Sequence, residues 1–182
     1  MERQNMRRTT FVALSCLLIG TSIVLAGDDL FDSVGLRAGF SSHRPSDRFY
    51  QVEVYGINRL PWEADLGPRW KLHSQLEVTG GLLTGRGETG FIGSMGPDLM
   101  LEHQNRLLRL VAGCSPTIMD RPTFGNKQLG STTQFTSHIG FYVRLGRLVD
   151  VGVRIQHMSN GGINGDHNPG MNNLMFSIDR CF

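Results

Sequence analysis

From residue 31 to the C-terminal Phe182 the sequence alternates apolar and polar residues with a period of two, in segment after segment. Side chains with that period point to opposite faces of a β-strand, so each segment has one apolar and one polar face. The last segment is the plainest: Leu174, Phe176, Ile178 and Phe182 share a face, and Asn173, Met175, Ser177, Asp179 and Cys181 share the other. Val151, Val153 and Ile155 oppose Gly152, Arg154 and Gln156 in the segment before it. Trp70, Leu72, Leu76 and Val78 oppose Lys71, His73, Gln75, Glu77 and Thr79. Val34, Leu36, Ala38 and Phe40 make a similar row, as do Tyr50, Val52 and Val54, and Ile139, Phe141, Val143 and Leu145. With two weaker segments, Phe91–Leu101 and Leu107–Cys114, the pattern predicts eight strands. They run near 31–42, 49–58, 69–80, 90–102, 106–115, 131–145, 149–160 and 172–182.

Other classes fall away on composition. The 182 residues are one domain's worth of chain. Eighteen basic against 16 acidic residues, with no basic tract, argue against a nucleic-acid partner. Three cysteines are too few for a disulfide scaffold. Beyond the N-terminus no apolar run approaches the ~18 residues of a membrane helix.

Residues 1–26 read as a secretory signal peptide. Arg3, Arg7 and Arg8 precede an apolar stretch from Phe11 to Leu25, and Val24-Leu25-Ala26 offers small residues for cleavage before Gly27. Asp28 and Asp29 follow at once, which disfavours a membrane anchor, and Ala13-Leu14-Ser15-Cys16 comes too early for a lipoprotein signal. Removing three arginines and one glutamate takes 18 basic and 16 acidic residues to 15 of each, so the exported domain, 27–182, is formally neutral.

Two architectures bury such strands. A soluble sandwich puts the apolar faces inside, and a transmembrane barrel turns them outward into lipid. Three features favour an eight-stranded antiparallel transmembrane β-barrel. The polar faces carry Arg37, Lys71, Arg109, Arg144 and Arg154 against Glu53, Glu77, Asp98, Glu102 and Asp179, a balance that suits a closed interior. An eight-stranded lumen is just wide enough for side chains to fill it, so it should be an ionic plug. The chain ends in phenylalanine on an alternating strand, which resembles the C-terminal signature of bacterial outer-membrane barrels. Connections also alternate in length: short turns near Asn105 and Gly146-Arg147, and longer outward loops near 43–48, 81–89, 115–130 and 160–171. The Asn58–Gly67 connection counts against this scheme, being long for a periplasmic turn. In this register Cys181 faces the lumen near the periplasmic rim and Cys114 faces lipid near the outer rim, so no disulfide is expected. His73 and His138 belong with the plug, and His43 and His103 with solvated connections.

One polar pair lies on the apolar face. The row Val151, Val153, Ile155 continues into His157 and Ser159. Period two puts both side chains on one side, roughly 6–7 Å apart along the strand. Spacing alone leaves open whether these are simply rim residues. The following loop adds Asn160-Gly161-Gly162 and, later, Asn168-Pro169-Gly170-Met171-Asn172. Over 157–172 the sequence resembles the PagL-type lipid A deacylases, outer-membrane esterases on an eight-stranded barrel. Their core pattern is His-x-Ser-Asn, small residues, then Asn-x-Gly and an acidic residue two positions on. His157, Ser159, Asn160, Gly161, Gly162, Asn168 and Gly170 match it.

The resemblance implies a serine esterase that removes a 3-O-linked acyl chain from lipid A (lipopolysaccharide) in the cell outer membrane. Ser159 would be the nucleophile and His157 its general base, without metal or cofactor. Backbone N–H groups of Asn160 and Gly162 would meet the oxyanion, and Asn168 would position the loop or add a donor. The chain departs from the pattern at Asn172, where the best-known sequence has glutamate. Its amide oxygen can hold the imidazole's tautomer but brings no negative charge; Asp166 and Asp120, in outer loops, are alternative acids. The placement agrees with the chemistry: the alternation alone puts His157, Ser159 and Asn172 outside the barrel at outer-leaflet height, where ester-linked acyl chains enter hydrocarbon. A non-catalytic barrel for adhesion, integrity or binding, and a phospholipase or acyltransferase on a similar barrel, are the rival readings. Homodimerisation stays open.

Overall fold

A computed structural model describes residues 30–41, 48–163 and 170–182. The proposed signal peptide, the loop histidine His43, and Asp166 and Asn168 lie outside the described residues. Eight antiparallel strands close into a barrel: β1 Ser33–Ser41, β2 Phe49–Asp65, β3 Trp70–Gly85, β4 Glu88–His103, β5 Leu108–Met119, β8 Thr133–Leu145, β9 Val149–Ser159 and β10 Met171–Cys181. A two-rung hairpin, β6 Thr123–Phe124 with β7 Lys127–Gln128, sits in the β5–β8 connection. β1 pairs with both β2 and β10, so the barrel sheet closes on itself without an edge strand.

The faces sort as the alternation demands. Leu36, Val52, Leu99, Ile139, Val153 and Phe176 stand exposed on the outer wall. A continuous apolar belt of this kind is stable only against hydrocarbon. Aromatic side chains cluster towards its ends, with Tyr50 and Phe91 on the outer half and Trp62 near the opposite end.

Inside, the charges pair. The Arg37 guanidinium donates to Glu53 Oε1 at 2.6 Å and to Glu77 Oε2 at 2.7 Å. Arg154 donates to the same two carboxylates at 3.2 and 2.8 Å, closing a ring of two cations and two anions. Gln51 and Gln156 extend the ring: Gln51 Nε2 donates to Glu53 Oε2 at 2.7 Å, and Arg154 donates to Gln156 Oε1 at 2.9 Å. Towards the end of the barrel where β1 begins and β10 finishes, Arg109 and Arg144 both pair with Asp150, and the Tyr55 hydroxyl donates to Asp179 at 2.7 Å. His138 lies 3.5 Å from Asp98, and His73 lies 3.7 Å from Glu102.

Four expectations need correction. The lumen is ionic only in its middle and towards the end where β1 begins and β10 finishes. Its outer end is sealed by Phe49, Leu83, Ile92, Met119, Phe124, Leu129, Met158 and Met171, inward residues of the strand ends together with the β6–β7 loop. The long Asn58–Gly67 connection is strand for most of its length. β2 shifts register through a bulge between Arg59 and Glu63 and then pairs on to Asp65 with Lys71, leaving a turn of only Leu66 to Arg69. That removes the one count against the barrel. Lys71 therefore stands on this extension, beside exposed Glu63 at 3.0 Å, and is not in the plug. The Lys71 ammonium holds the Glu63 carboxyl below its ordinary range. Finally, 81–89 is not an open loop: β3 and β4 continue to a two-residue turn at Arg86-Gly87, both with positive φ (54° and 80°). Cys114 and Cys181 are free, one exposed on the outer wall and the other donating its thiol to Asp150 inside.

The ring predicts an asymmetry. Arg154→Leu leaves Glu53 and Glu77 buried with half their cationic partners, so it should cost about 3–5 kcal/mol. Lys71→Ala should leave the unfolding midpoint where it was. Urea unfolding of the lipid-reconstituted barrel, followed by loss of β-signal, checks both.

Candidate active site

His157 and Ser159 end β9, and both project from the outer wall because Val153 and Ile155 precede them on the same face. Strand β10 runs antiparallel alongside, and its register sets Asn172 directly opposite His157. His157 is exposed, as is Asn172. Their side chains meet: imidazole Nδ1 and Asn172 Oδ1 are 2.7 Å apart. An amide oxygen only accepts, so Nδ1 carries the proton and the Nε2 lone pair is left free. Two cross-strand neighbours complete the frame. Ser137 on β8 pairs in register with His157 on its other side, and Phe135 pairs with Ser159.

Beyond Ser159 the chain turns sharply. Asn160 is buried; its side-chain oxygen accepts the Gly162 N–H at 2.9 Å, and its backbone oxygen accepts the Ile163 N–H at 3.2 Å. Gly161 and Gly162 take φ of 62° and 76°, the left-handed region where a Cβ is costly. The turn thus folds its own amides around the residues that follow the serine. Where the chain returns, Gly170, with φ of 57°, lies against the imidazole: a Cβ there would come within 2.9 Å of His157 Cε1 and 3.5 Å of Nε2. The Cε1–Nε2 edge of the ring therefore faces a residue without a side chain.

Inward of the histidine along the wall lies a groove of about 260 Å³, lined by Leu110, Ile139, Phe141, Val153, Ile155 and Leu174 with Gly140 and Arg154 at its base. Ile155 joins groove and site, being two residues from His157 and paired with both Ile139 and Leu174. The arrangement sets an oriented imidazole and a hydroxyl at the mouth of an apolar trough.

The structure brings His157, Ser159, Asn172, Asn160 and Gly162 to one end of β9–β10; Asn168 is not described. Asp120, one of the alternative acids, is turned towards Arg121 at 3.7 Å and packs over Gly90 on the β4 side. The sequence pointed to Gly170 without giving it a task, and passed over Ser137 and Phe135. Ser137 could have been found as His157 was, as a polar residue on an apolar row. Among the described residues two groups have metal-ligand proximity, Glu77/Asp98/His138 and Asp150/Asp179/Cys181. Both lie inside the barrel, where Glu77 and Asp150 are already bonded to arginines, and neither faces the site.

Known proteins align with this geometry. A solved structure described as the outer membrane enzyme PagL superposes with a TM-score of 0.69, covering 82% of this chain and 99% of that one at 19% identity. The lipid A deacylase PagL of Bordetella bronchiseptica is 38% identical over 60 residues, a stretch that spans 33% of either protein. The model of the lipid A 3-O-deacylase family matches residues 49–179, which include His157, Ser159 and Asn172. This chain belongs to the PagL family of lipid A 3-O-deacylases.

Proposed function

We propose that the protein is an outer-membrane serine esterase that hydrolyses a 3-O-linked acyl ester of lipid A, with the signal at 1–26 removed on export and 27–182 forming the barrel. The observation that carries this reading is the His157–Asn172 hydrogen bond on the outside wall at the end of β9, next to Ser159. Lipid A lies in the outer leaflet. An enzyme cutting its acyl esters gains nothing from residues in the lumen and needs them where hydrocarbon meets water.

The geometry supports the following roles. Nε2 of His157 takes the Ser159 hydroxyl proton as the oxygen attacks the ester carbonyl. The same nitrogen then protonates the departing sugar oxygen, leaving an acyl-enzyme that water opens by the reverse sequence. Asn172 holds the ring in the correct tautomer. The backbone amides of the Asn160–Gly162 turn would meet the oxyanion. Gly162 N–H is engaged by the Asn160 side chain at rest, so it would join the oxyanion only when that contact opens. The departing acyl chain would lie in the Ile155 groove, its alkyl carbons replacing lipid against the wall.

Ser159→Ala should abolish the loss of one acyl chain from lipid A, read as a missing mass difference in spectra of lipid A from expressing cells. Retention of that activity by Ser159→Ala would sink the mechanism. Asn172→Ala should lower kcat by roughly ten- to a hundred-fold with little change in KM, because it frees the ring's orientation. Asn172→Asp should raise kcat above the parent, since a carboxylate also stabilises the imidazolium. Gly170→Ala should reduce kcat at least ten-fold, the methyl pushing the ring from Ser159. Its left-handed backbone adds about 1–2 kcal/mol of strain, visible as a lower unfolding midpoint.

A further inference from the structure

Arg48 is a second functional group on the same wall. It precedes Phe49, the first residue of β2, and its guanidinium lies 5.3 Å from the ring centroid of Phe40 on β1. Phe40 and Tyr50 are register partners on the outer face, with Tyr50 exposed. The alternation Arg48, Tyr50, Val52 puts Arg48 on that face too. Ser41 pairs with Asn173, and the Phe49 N–H donates to Ser41 Oγ at 2.8 Å. One residue further out, Arg48 and Asn172 flank the end of β1 on a single rung. They are two interstrand spacings apart, about 10 Å.

Among the described residues, Arg48 Nε is buried without a hydrogen-bond partner and no carboxylate pairs with the guanidinium. The arginines of the lumen differ. Arg37, Arg109, Arg144 and Arg154 are all paired inside. On the outer rim Arg121 lies 3.5 Å from Glu88 and also beside Asp120. An arginine held against an aromatic ring keeps its fork pre-oriented, and a fork fits two oxygens of a phosphate.

We propose that Arg48 binds a phosphate of the lipid substrate and so orients the sugar headgroup across the β10–β1–β2 wall, with the ester over Ser159. This rests on the esterase reading above and names its recognition element. Arg48 is a specificity-determining residue; it touches none of the reacting atoms.

The experiment has two arms. In the first, purified wild type and Arg48→Gln hydrolyse lipid A and its enzymatically dephosphorylated form, each in zwitterionic detergent. Wild type should prefer the phosphorylated substrate, and Arg48→Gln should lose roughly ten- to a hundred-fold in kcat/KM on it alone, mostly through KM. Arg48→Lys should recover part of the loss, and Arg121→Gln should behave as wild type. In the second arm the Ser159→Ala protein, with and without Arg48→Gln, binds the same two lipids without turnover. Weaker binding of only the phosphorylated lipid supports the proposal. Equal effects on both lipids, or none, overturn it. Repeating the first arm in anionic vesicles separates the substrate's own phosphate from that of neighbouring lipids: an effect that follows vesicle charge also overturns it. Absence of any serine-dependent hydrolysis would overturn the esterase reading instead, while the binding arm still decides Arg48. Heat-modifiable gel migration confirms that each variant is a folded barrel.

Discussion

The four-charge ring of Arg37, Glu53, Glu77 and Arg154 sits where a soluble protein would place leucines, and the rest of the molecule follows from that inversion. A chain that turns its apolar residues outward must put its polar ones in a narrow closed space. Each charge there needs a partner from a strand distant in sequence. Arg154 on β9 meets Glu77 on β3 across the lumen, and Gln156 reaches Gln51 on β2 in the same layer. These contacts pin β9 from the inside. His157 is the residue immediately outward of Gln156, so the plug that stiffens the barrel also fixes the strand that carries the proposed catalytic pair.

The outer wall obeys the opposite rule, and its exceptions are therefore informative. Polar residues facing lipid have no internal network to satisfy them, so they survive only at the interface or in company. Along one rung, Cys114, Ser137, His157 and Asn172 occupy β5, β8, β9 and β10 in register. Just inward the partners become Ala112, Ile139, Ile155 and Leu174. The boundary between those two rows marks where hydrocarbon gives way to headgroups. It is also where an ester of a membrane lipid would lie. The groove below it and the glycine turn above it extend the same division, one apolar and one rich in backbone amides.

Much of this was legible in the sequence because period two is strict. A strand's two faces can be read from residues alone, which put His157 and Ser159 outside before any contact was known. Element ends were less legible. β2 continues through a bulge, where the alternation breaks between Arg59 and Glu63, and the eye stops at the break. Gly80-Gly81 interrupts the apolar row of β3, although the strand runs on to Gly85. The apolar seal at the outer lumen escaped notice for a related reason. Met158, Met171 and Leu83 lie on inward faces that look polar elsewhere, and Phe124 reaches them from a loop whose fold is not periodic. Arg48 was invisible because its stacking on Phe40 is a three-dimensional contact with no periodic signal.

Asn172 is best understood from its surroundings. A carboxylate in its place would stand exposed on the lipid-facing wall, carrying a permanent charge against an apolar belt. A charge at a lipid boundary costs desolvation free energy. The amide avoids that cost: it fixes Nδ1–H, leaves the Nε2 lone pair free, and adds no net charge to the site. The hydrogen bond at 2.7 Å thus supplies orientation without a full opposing charge. In the proposed reaction only a dipole faces the imidazolium as it forms, so orientation alone makes a slower base, and the missing charge is the difference that a carboxylate at position 172 would supply.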